Sequence, residues 1–355
     1  MLVTGGAGFI GANVAVALAA RHPDWEVAAL DNLRRRGSEL NLPRLRDAGV
    51  AFLHGDVRLL DDVLGAFDSP DAIVECSAEP SALAAIEAGP DYVVQSNLIG
   101  AYHCLELARR TQAQLVFLST SRVYPVAALG QLALEETETR FELAAEQPVA
   151  GASPAGIAEE FPLEGARTMY GATKLAAELL IEEYRAAWDV RAVVDRCGVV
   201  AGPWQMGRID QGVFTYWMLA HHFGLPLAYI GYGGTGKQVR DLLHVDDLVA
   251  LIEEQLAAPE RWDGVTVNVG GGRECSLSLR ETTDLCAQIT GRDVEPTAAD
   301  DDRPGDVPLY ISDCARLHSM SAWRPSHAPR EVLADIHAWI CEHEAAVRAA
   351  LSIGP

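Results

Sequence analysis

A doubly wound parallel α/β sheet with a smaller, interleaved C-terminal lobe is the fold class that the sequence predicts. Three observations carry it. Short β-rich runs alternate with helical patterns through the first two-thirds of the chain, an order that builds a parallel sheet covered by helices on both faces. Gly5, Gly8 and Gly11 follow the first run and open the first helical pattern. After residue 202 the pattern loosens into "GPWQMG", "GYGGTGK" and "NVGGGRECS", with shorter elements between.

The elements follow in order. Residues 1–4 read as a strand, and 9–20 as a helix whose apolar residues recur at three- and four-residue spacing. Strands are expected at 26–30 ("EVAAL") and 50–53 ("VAFL"), a helix at 58–66, and a strand at 72–76 ("AIVEC"). A long helix over 92–110 leads to the strand 114–118 ("QLVFL"). Segment 125–167 has no clear period and carries Pro, Gly and a run of acids, so it is expected to be a loop reaching over a site. The helix 169–187 and the strand 191–195 ("RAVVD") complete a Rossmann-type domain, 1–200, to which part of 235–260 is expected to return. Residues 201–355 form the smaller lobe.

Composition narrows the function. The chain has 355 residues, 49% of them hydrophobic, enough to bury a full core. A formal charge of −22 argues against nucleic acid or an anionic membrane as partner, since both need a basic face. An anionic ligand must therefore meet a local arginine cluster or a helix N-terminus. No run reaches the ~18 apolar residues of a membrane helix, and the start has no secretory pattern, so a cytoplasmic location is expected. Seven scattered cysteines without a CxxC pair suit reduced thiols rather than a disulfide frame or a zinc site. His221, His222, His244, Asp246 and Asp247 lack an HxH or HExxH frame, and no metal is expected.

The glycine turn lets a backbone approach a pyrophosphate, and the helix N-terminus behind it supplies amide donors and a positive dipole end. The second strand ends near Asp31, where a carboxylate binds the two hydroxyls of an adenosine ribose. An acid there repels a 2′-phosphate and favours NAD; Arg34, Arg35 and Arg36, which follow, would suit NADP or form a solvated patch. "HGDVR" offers Asp56 and Val57 beside the adenine. "GYGGTGK" lacks the spacing of a phosphate loop and reads as a turn bringing backbone near the nucleotide.

Tyr170 stands four residues before Lys174, so both share a helix face. A nearby cation favours the phenolate and is expected to pull the tyrosine toward working pH, where it can take a proton from a sugar hydroxyl. That spacing alone identifies no reaction. Ser119, Thr120 and Ser121 add hydroxyls at the C-terminal edge of a strand, where a substrate-orienting donor belongs.

Together these residues resemble the extended short-chain dehydrogenase/reductase family, the NAD-dependent epimerases and dehydratases, across essentially the whole chain. The resemblance implies NAD held by Gly5, Gly8, Phe9, Ile10, Asp31, Asn32, Asp56, Val57, Ser77, Ala78, Asn97, Tyr170, Lys174 and Arg196. It implies Thr120, Tyr170 and Lys174 as the catalytic trio, with Tyr170 as base. Dehydratases and decarboxylases of the family carry an acid two places after the Thr; this chain has Arg122, which disfavours dehydration. "DNLRRRGSELNLPRL", "EETETRFEL", "GPWQMGRIDQG" and "GKQVRDLLHVDDL" look like the CDP-paratose 2-epimerase branch. For the nucleotide-diphosphate sugar the resemblance implies Glu79, Ser121, Arg122, Gln205, Arg240 and Arg303, the arginines suiting diphosphate oxygens. Trp204 is expected either in the sugar pocket or as packing. The helices 92–110 and 169–187 correspond to the family's four-helix dimer interface, so a homodimer or dimer of dimers is expected.

Overall fold

The computed structural model describes residues 1–81, 83–207, 211–299 and 303–353. Parts of the "CSAEPSALAA", "GPWQMGRIDQG" and "DDRPGD" stretches, at 82, 208–210 and 300–302, lie outside the described residues.

Seven parallel strands form the central sheet. They are β1 (Leu2–Thr4), β2 (Ala28–Asp31), β3 (Ala51–His54), β4 (Ala72–Glu75), β5 (Gln114–Thr120), β6 (Ala192–Cys197) and, after the intervening lobe strands β7 (Val199–Ala201) and β8 (Val239–His244), β9 (Val265–Val269). The spatial order β9-β6-β5-β4-β1-β2-β3 reverses direction between β1 and β4. Strand tips part at such a switch point and leave a crevice. Strands β4 and β5 bury nearly every residue, as continuous apolar runs of a two-faced parallel sheet do.

Helix α1 (Phe9–Arg21) and helix α2 (Leu60–Gly65) follow β1 and β3 as expected. The expected helix 92–110 is instead three pieces: a turn at Asp91–Val94, a π-helical turn at Gln95–Ile99 and α3 (Gly100–Thr111). Two contacts accompany the break. A Cβ on Gly100 would stand 2.9 Å from Val57 Cγ2, and Asn97 is turned inward to bind the chain after β4. Helix α4 (Met169–Trp188) starts on Thr168, whose hydroxyl accepts from the Gly171 amide.

Segment 125–167 corrects the expectation of a loop over the site. It holds one helical turn and two small hairpins, and its Leu143, Ile157 and Phe161 pack with Tyr310 and Ile311 in a separate apolar cluster. None of its residues lines the cleft described below. The strand β9 was not anticipated; its "VTVNV" sits in the region where the pattern loosens, yet it pairs in parallel with β6.

In the C-terminal part, α5 (Val213–Phe223), α7 (Leu279–Thr290) and α8 (Pro329–Glu342) pack together around Phe214, Trp217, Cys286 and Ile336. Helix α6 (Val245–Ala257) packs back on α1 in the main core. Strand β8 is the hub of a second sheet, parallel to β7 and to β11 (Leu309–Tyr310) and antiparallel to β10 (Ser276–Ser278). None of the described helices is long and apolar enough to cross a membrane.

Candidate active site

A cleft of about 630 Å³ opens at the switch point, between the tips of the parallel strands and the C-terminal lobe. Its floor is the β1–α1 turn. Gly5 has φ +62°, a Cβ there would stand 2.8 Å from the Ser77 backbone, and one on Gly11 would stand 2.2 Å from the Gly5 carbonyl oxygen. Side chains at either place would fill the cradle. Gly8 caps α1 without a side-chain hydrogen bond. The first-turn amides of α1 therefore open onto the cleft at Phe9, Ile10 and Gly11, as a pyrophosphate requires.

Asp31 ends β2 on the same rim. Its carboxylate accepts from the Ala7 amide at 3.1 Å and the Leu33 amide at 2.8 Å. Burial pushes its pKa up, and those amides act against the rise. Asn32 lines the cleft and donates to Asp56 at 3.0 Å. Asp56 itself does not line it. The Arg58 guanidinium grips its carboxylate at 2.6–3.0 Å; burial acts to raise the pKa, but this fork outweighs it and holds the acid down at about 2. Asp56, one residue from the lining positions Gly55 and Val57, thus orients Asn32. Val57, Ser77 and Ala78 line the cleft as expected. Arg34 lies over the Tyr92 ring at 3.9 Å, and Arg35 bonds Gln211.

Asn97 and Arg196, expected at the cofactor, do not line the cleft. Asn97 is fully buried behind the wall; it accepts from the Glu79 amide at 2.7 Å and donates to the Glu79 carbonyl at 3.2 Å and to Thr173. It latches the loop that carries Glu79, which does line the cleft. Arg196 sits on β6 beneath α4, forked onto Glu178 at 2.7–3.2 Å and donating to the Tyr124 hydroxyl. A buried arginine needs such a partner, and Arg196 does not line the cleft.

Thr120, Tyr170 and Lys174 meet on the opposite wall. Gly171 explains how α4 comes close enough: a Cβ there would stand 1.9 Å from the Arg122 carbonyl oxygen, in the turn after β5. The Thr120 hydroxyl stands beside the Tyr170 phenol and favours its phenolate. Lys174 is 2% exposed and donates to Glu75 Oε2 at 3.0 Å, with Glu75 fully buried at the end of β4. Ser77 donates to the other Glu75 oxygen at 2.5 Å and touches Thr4 at 3.2 Å.

This pair changes the expected electrostatics. Burial pushes the Tyr170 phenol above its ordinary range, Lys174 and Thr120 pull it back, and Glu75 adds to the rise. The net direction is upward, against the sequence expectation, because burial of the phenol outweighs the pull of Lys174. Burial disfavours the Lys174 charge, but Glu75 and Tyr170 outweigh that, and its pKa is raised. Glu75 escaped the sequence reading; the available signal was an acid inside the apolar run "AIVEC".

At the far end the cleft is lined by Ser121, Arg122, Gln205, Arg240, Arg303 and Asp306. Arg240 donates to Asp306 at 2.6 Å and to the Val307 carbonyl. Arg122 donates to the Gly305 carbonyl at 2.8 Å, and burial together with Arg240 lowers its pKa. The arginines form the local cation cluster that an acidic chain needs for an anionic ligand. Gln205 donates to the Val200 carbonyl and accepts from Thr215. Trp204 takes the packing role, its ring 5.8 Å from Trp339 and under the Arg44 guanidinium at 4.2 Å. The "GYGGTGK" turn does not reach the cleft; Lys237 there pairs with Glu136 at 2.8 Å.

Relatives of known sequence match nearly the full length. The chain is 28% identical over 349 residues to the CDP-paratose 2-epimerase of Salmonella typhi, covering 96% of this chain and 98% of that one. It is 30% identical over 350 residues to the dTDP-glucose 4,6-dehydratase of Mycolicibacterium smegmatis, covering 97% and 94%. Among solved structures, the UDP-glucose 4-epimerase of Thermus thermophilus in complex with NAD is 29% identical with TM-score 0.74, covering 96% and 98%. The family model described as NAD dependent epimerase/dehydratase matches residues 1–270, the stretch that carries the glycine turn, the Thr–Tyr–Lys wall and β9. Motif, cleft and match therefore converge, and this chain is an enzyme of the NAD dependent epimerase/dehydratase family, within the extended short-chain dehydrogenases/reductases.

Proposed function

We propose that the protein is an NAD-dependent nucleotide-sugar epimerase that inverts C2 of a CDP-linked deoxyhexose. The observation that carries epimerisation over dehydration is Arg122. It stands in the cleft two residues after Thr120, where an acid would protonate a leaving hydroxyl, and its guanidinium is turned to the Gly305 carbonyl. The near full-length likeness to a CDP-paratose 2-epimerase supports the C2 branch.

The residues have the following roles. The α1 amides hold the cofactor pyrophosphate, Asp31 and Asn32 its ribose, and Ser77 and Ala78 border the ring end. NAD bound there supplies the hydride acceptor and donor, and its positively charged ring adds to Lys174 in favouring the phenolate. Tyr170 takes the proton of the sugar hydroxyl and later returns it, while Thr120 orients that hydroxyl. Arg122, Arg240 and Arg303 anchor the diphosphate so that the sugar can turn without leaving.

A second reading, C4 inversion of a UDP-sugar, is favoured by the likeness to the Thermus thermophilus UDP-glucose 4-epimerase. Proton NMR of the protein with CDP- and UDP-hexoses separates the two: changed ring couplings at C2 of a CDP-sugar support the first, at C4 of a UDP-sugar the second. Steady growth of NADH absorbance with either substrate sinks both in favour of a net dehydrogenase.

The homodimer is likewise our reading. Tyr102 on α3 and Leu179 and Trp188 on α4 are exposed apolar side chains on the expected helix pair. Light scattering that gives the mass of a single chain refutes it. The free state of all seven cysteines fits the reducing cytoplasm proposed for the protein.

A further inference from the structure

The end of α5 meets the last turns of α8 through His222, His337 and Cys341. His222 Nδ1 is 3.3 Å from His337 Nε2, and Cys341 Sγ is 3.5 Å from His337 Nε2 and 4.0 Å from His222 Nδ1. The three ligating atoms lie within 4.8 Å of one another as a set. Zinc bound by imidazole at ~2.0–2.1 Å and thiolate at ~2.3 Å, with tetrahedral angles, separates two nitrogens by about 3.3 Å and a nitrogen from a sulfur by about 3.6 Å. The edges here have those lengths, one N–S edge being longer. A point about 2.05 Å from both nitrogens and about 2.3 Å from the sulfur exists, lying about 0.4 Å out of the donor plane. A solvent ligand can take the remaining position, because Cys341 is exposed.

A second observation concerns the outer side of His222. Its other nitrogen, Nε2, faces Glu344 Oε2 at 3.6 Å. A carboxylate behind a ligating imidazole fixes which nitrogen carries the proton and leaves the lone pair toward the metal. His337 and Cys341 are one helical turn apart, so a single face of α8 presents both. The sequence pointed away from a metal because His222 is 115 residues from His337; folding removes that separation.

We propose that His222, His337 and Cys341 bind a borderline divalent transition-metal ion, zinc in the first instance, and so tie α5 to α8. Binding forms the Cys341 thiolate and releases its proton to solvent. The site lies outside the cleft and is independent of the sugar assignment.

The test is metal analysis of the full-length protein after chelation, dialysis and exposure to zinc, beside Cys341→Ser and His337→Ala. One zinc per chain in the wild type, with binding at least tenfold weaker in both variants, is the expected result. Cobalt(II) should give a thiolate charge-transfer band that Cys341→Ser abolishes, and zinc should raise the wild-type Tm by roughly 3 °C but not that of Cys341→Ser. Cys341 is exposed, so its serine variant should fold; retained NAD binding checks this. Substoichiometric zinc, or binding unchanged in Cys341→Ser, overturns the proposal.

Discussion

Helix α4 carries two buried ion pairs one turn apart, and they do different work. Lys174 reaches Glu75 at 3.0 Å in the cleft wall, beside the phenol of Tyr170. Glu178 reaches Arg196 at 2.7 Å behind that wall, among Ser119 and Tyr124. The second pair is a guanidinium fork with its hydrogen bonds satisfied and no opening to the cleft. The first lies against the reacting groups, so its charge balance sets a proton affinity. A buried pair holds the fold when its neighbours are inert and tunes chemistry when one neighbour titrates.

Four changes would break or sharpen that contrast. Tyr170→Phe removes the titrating neighbour; turnover should fall by roughly 10³-fold, within the range for a lost general base, with NAD affinity retained in a fluorescence titration. Glu178→Ala should strand the Arg196 charge and cost roughly 3–5 kcal/mol in urea unfolding, while activity per folded molecule stays near wild type. If activity falls with stability preserved, the second pair belongs to the chemistry and the contrast fails.

Asp195 adjoins the structural pair on β6. It is fully buried, accepts one hydrogen bond from Gln255 at 2.8 Å, and burial pushes its pKa up to about 7. A carboxyl with a raised native pKa binds more protons folded than unfolded, so its contribution to stability is present at low pH and is lost as pH rises from the ordinary carboxylate range to about 7. Asp195→Asn should therefore gain on the order of 2 kcal/mol over wild type at pH 8 and little at pH 4, read from Tm or urea midpoints at both pH values.

The smallest effect is expected from Glu75→Gln. Glu75 adds to the rise of the Tyr170 pKa, so its neutralisation should move the acid limb of the pH–rate profile to lower pH. An unmoved limb would mean that Lys174 and Glu75 act only as structure.

The two halves of the cleft were legible to different degrees. The cofactor half is assembled from strand ends and the turns directly after them, so Gly5, Gly11 and Asp31 could be read from local spacing, while Ser77 came from the family resemblance. Partners that act through another residue could not: Asp56 behind Asn32, Asn97 behind Glu79 and Glu75 behind Lys174 have the right residue types, but their orientation depends on packing. Arg196 is the reverse case, since an arginine at a strand end has no sequence mark that distinguishes a ligand from the partner of Glu178. The sugar half draws Arg122, Gln205, Arg240 and Arg303 from four separate segments. Only the family resemblance joined them, because no local period spans such distances.

The π-helical turn at Gln95–Ile99 makes this wall sensitive to chain length rather than composition. Removing one residue from the turn would let the helix close regularly, and each residue of an α-helix advances the face by about 100°. Asn97 would swing away from Glu79, and the loop beside the cofactor site would lose its latch. Relatives that drop this residue should therefore carry a different device for the loop, and a one-residue deletion, harmless by ordinary helix rules, should loosen NAD binding more than most single substitutions in the same helix.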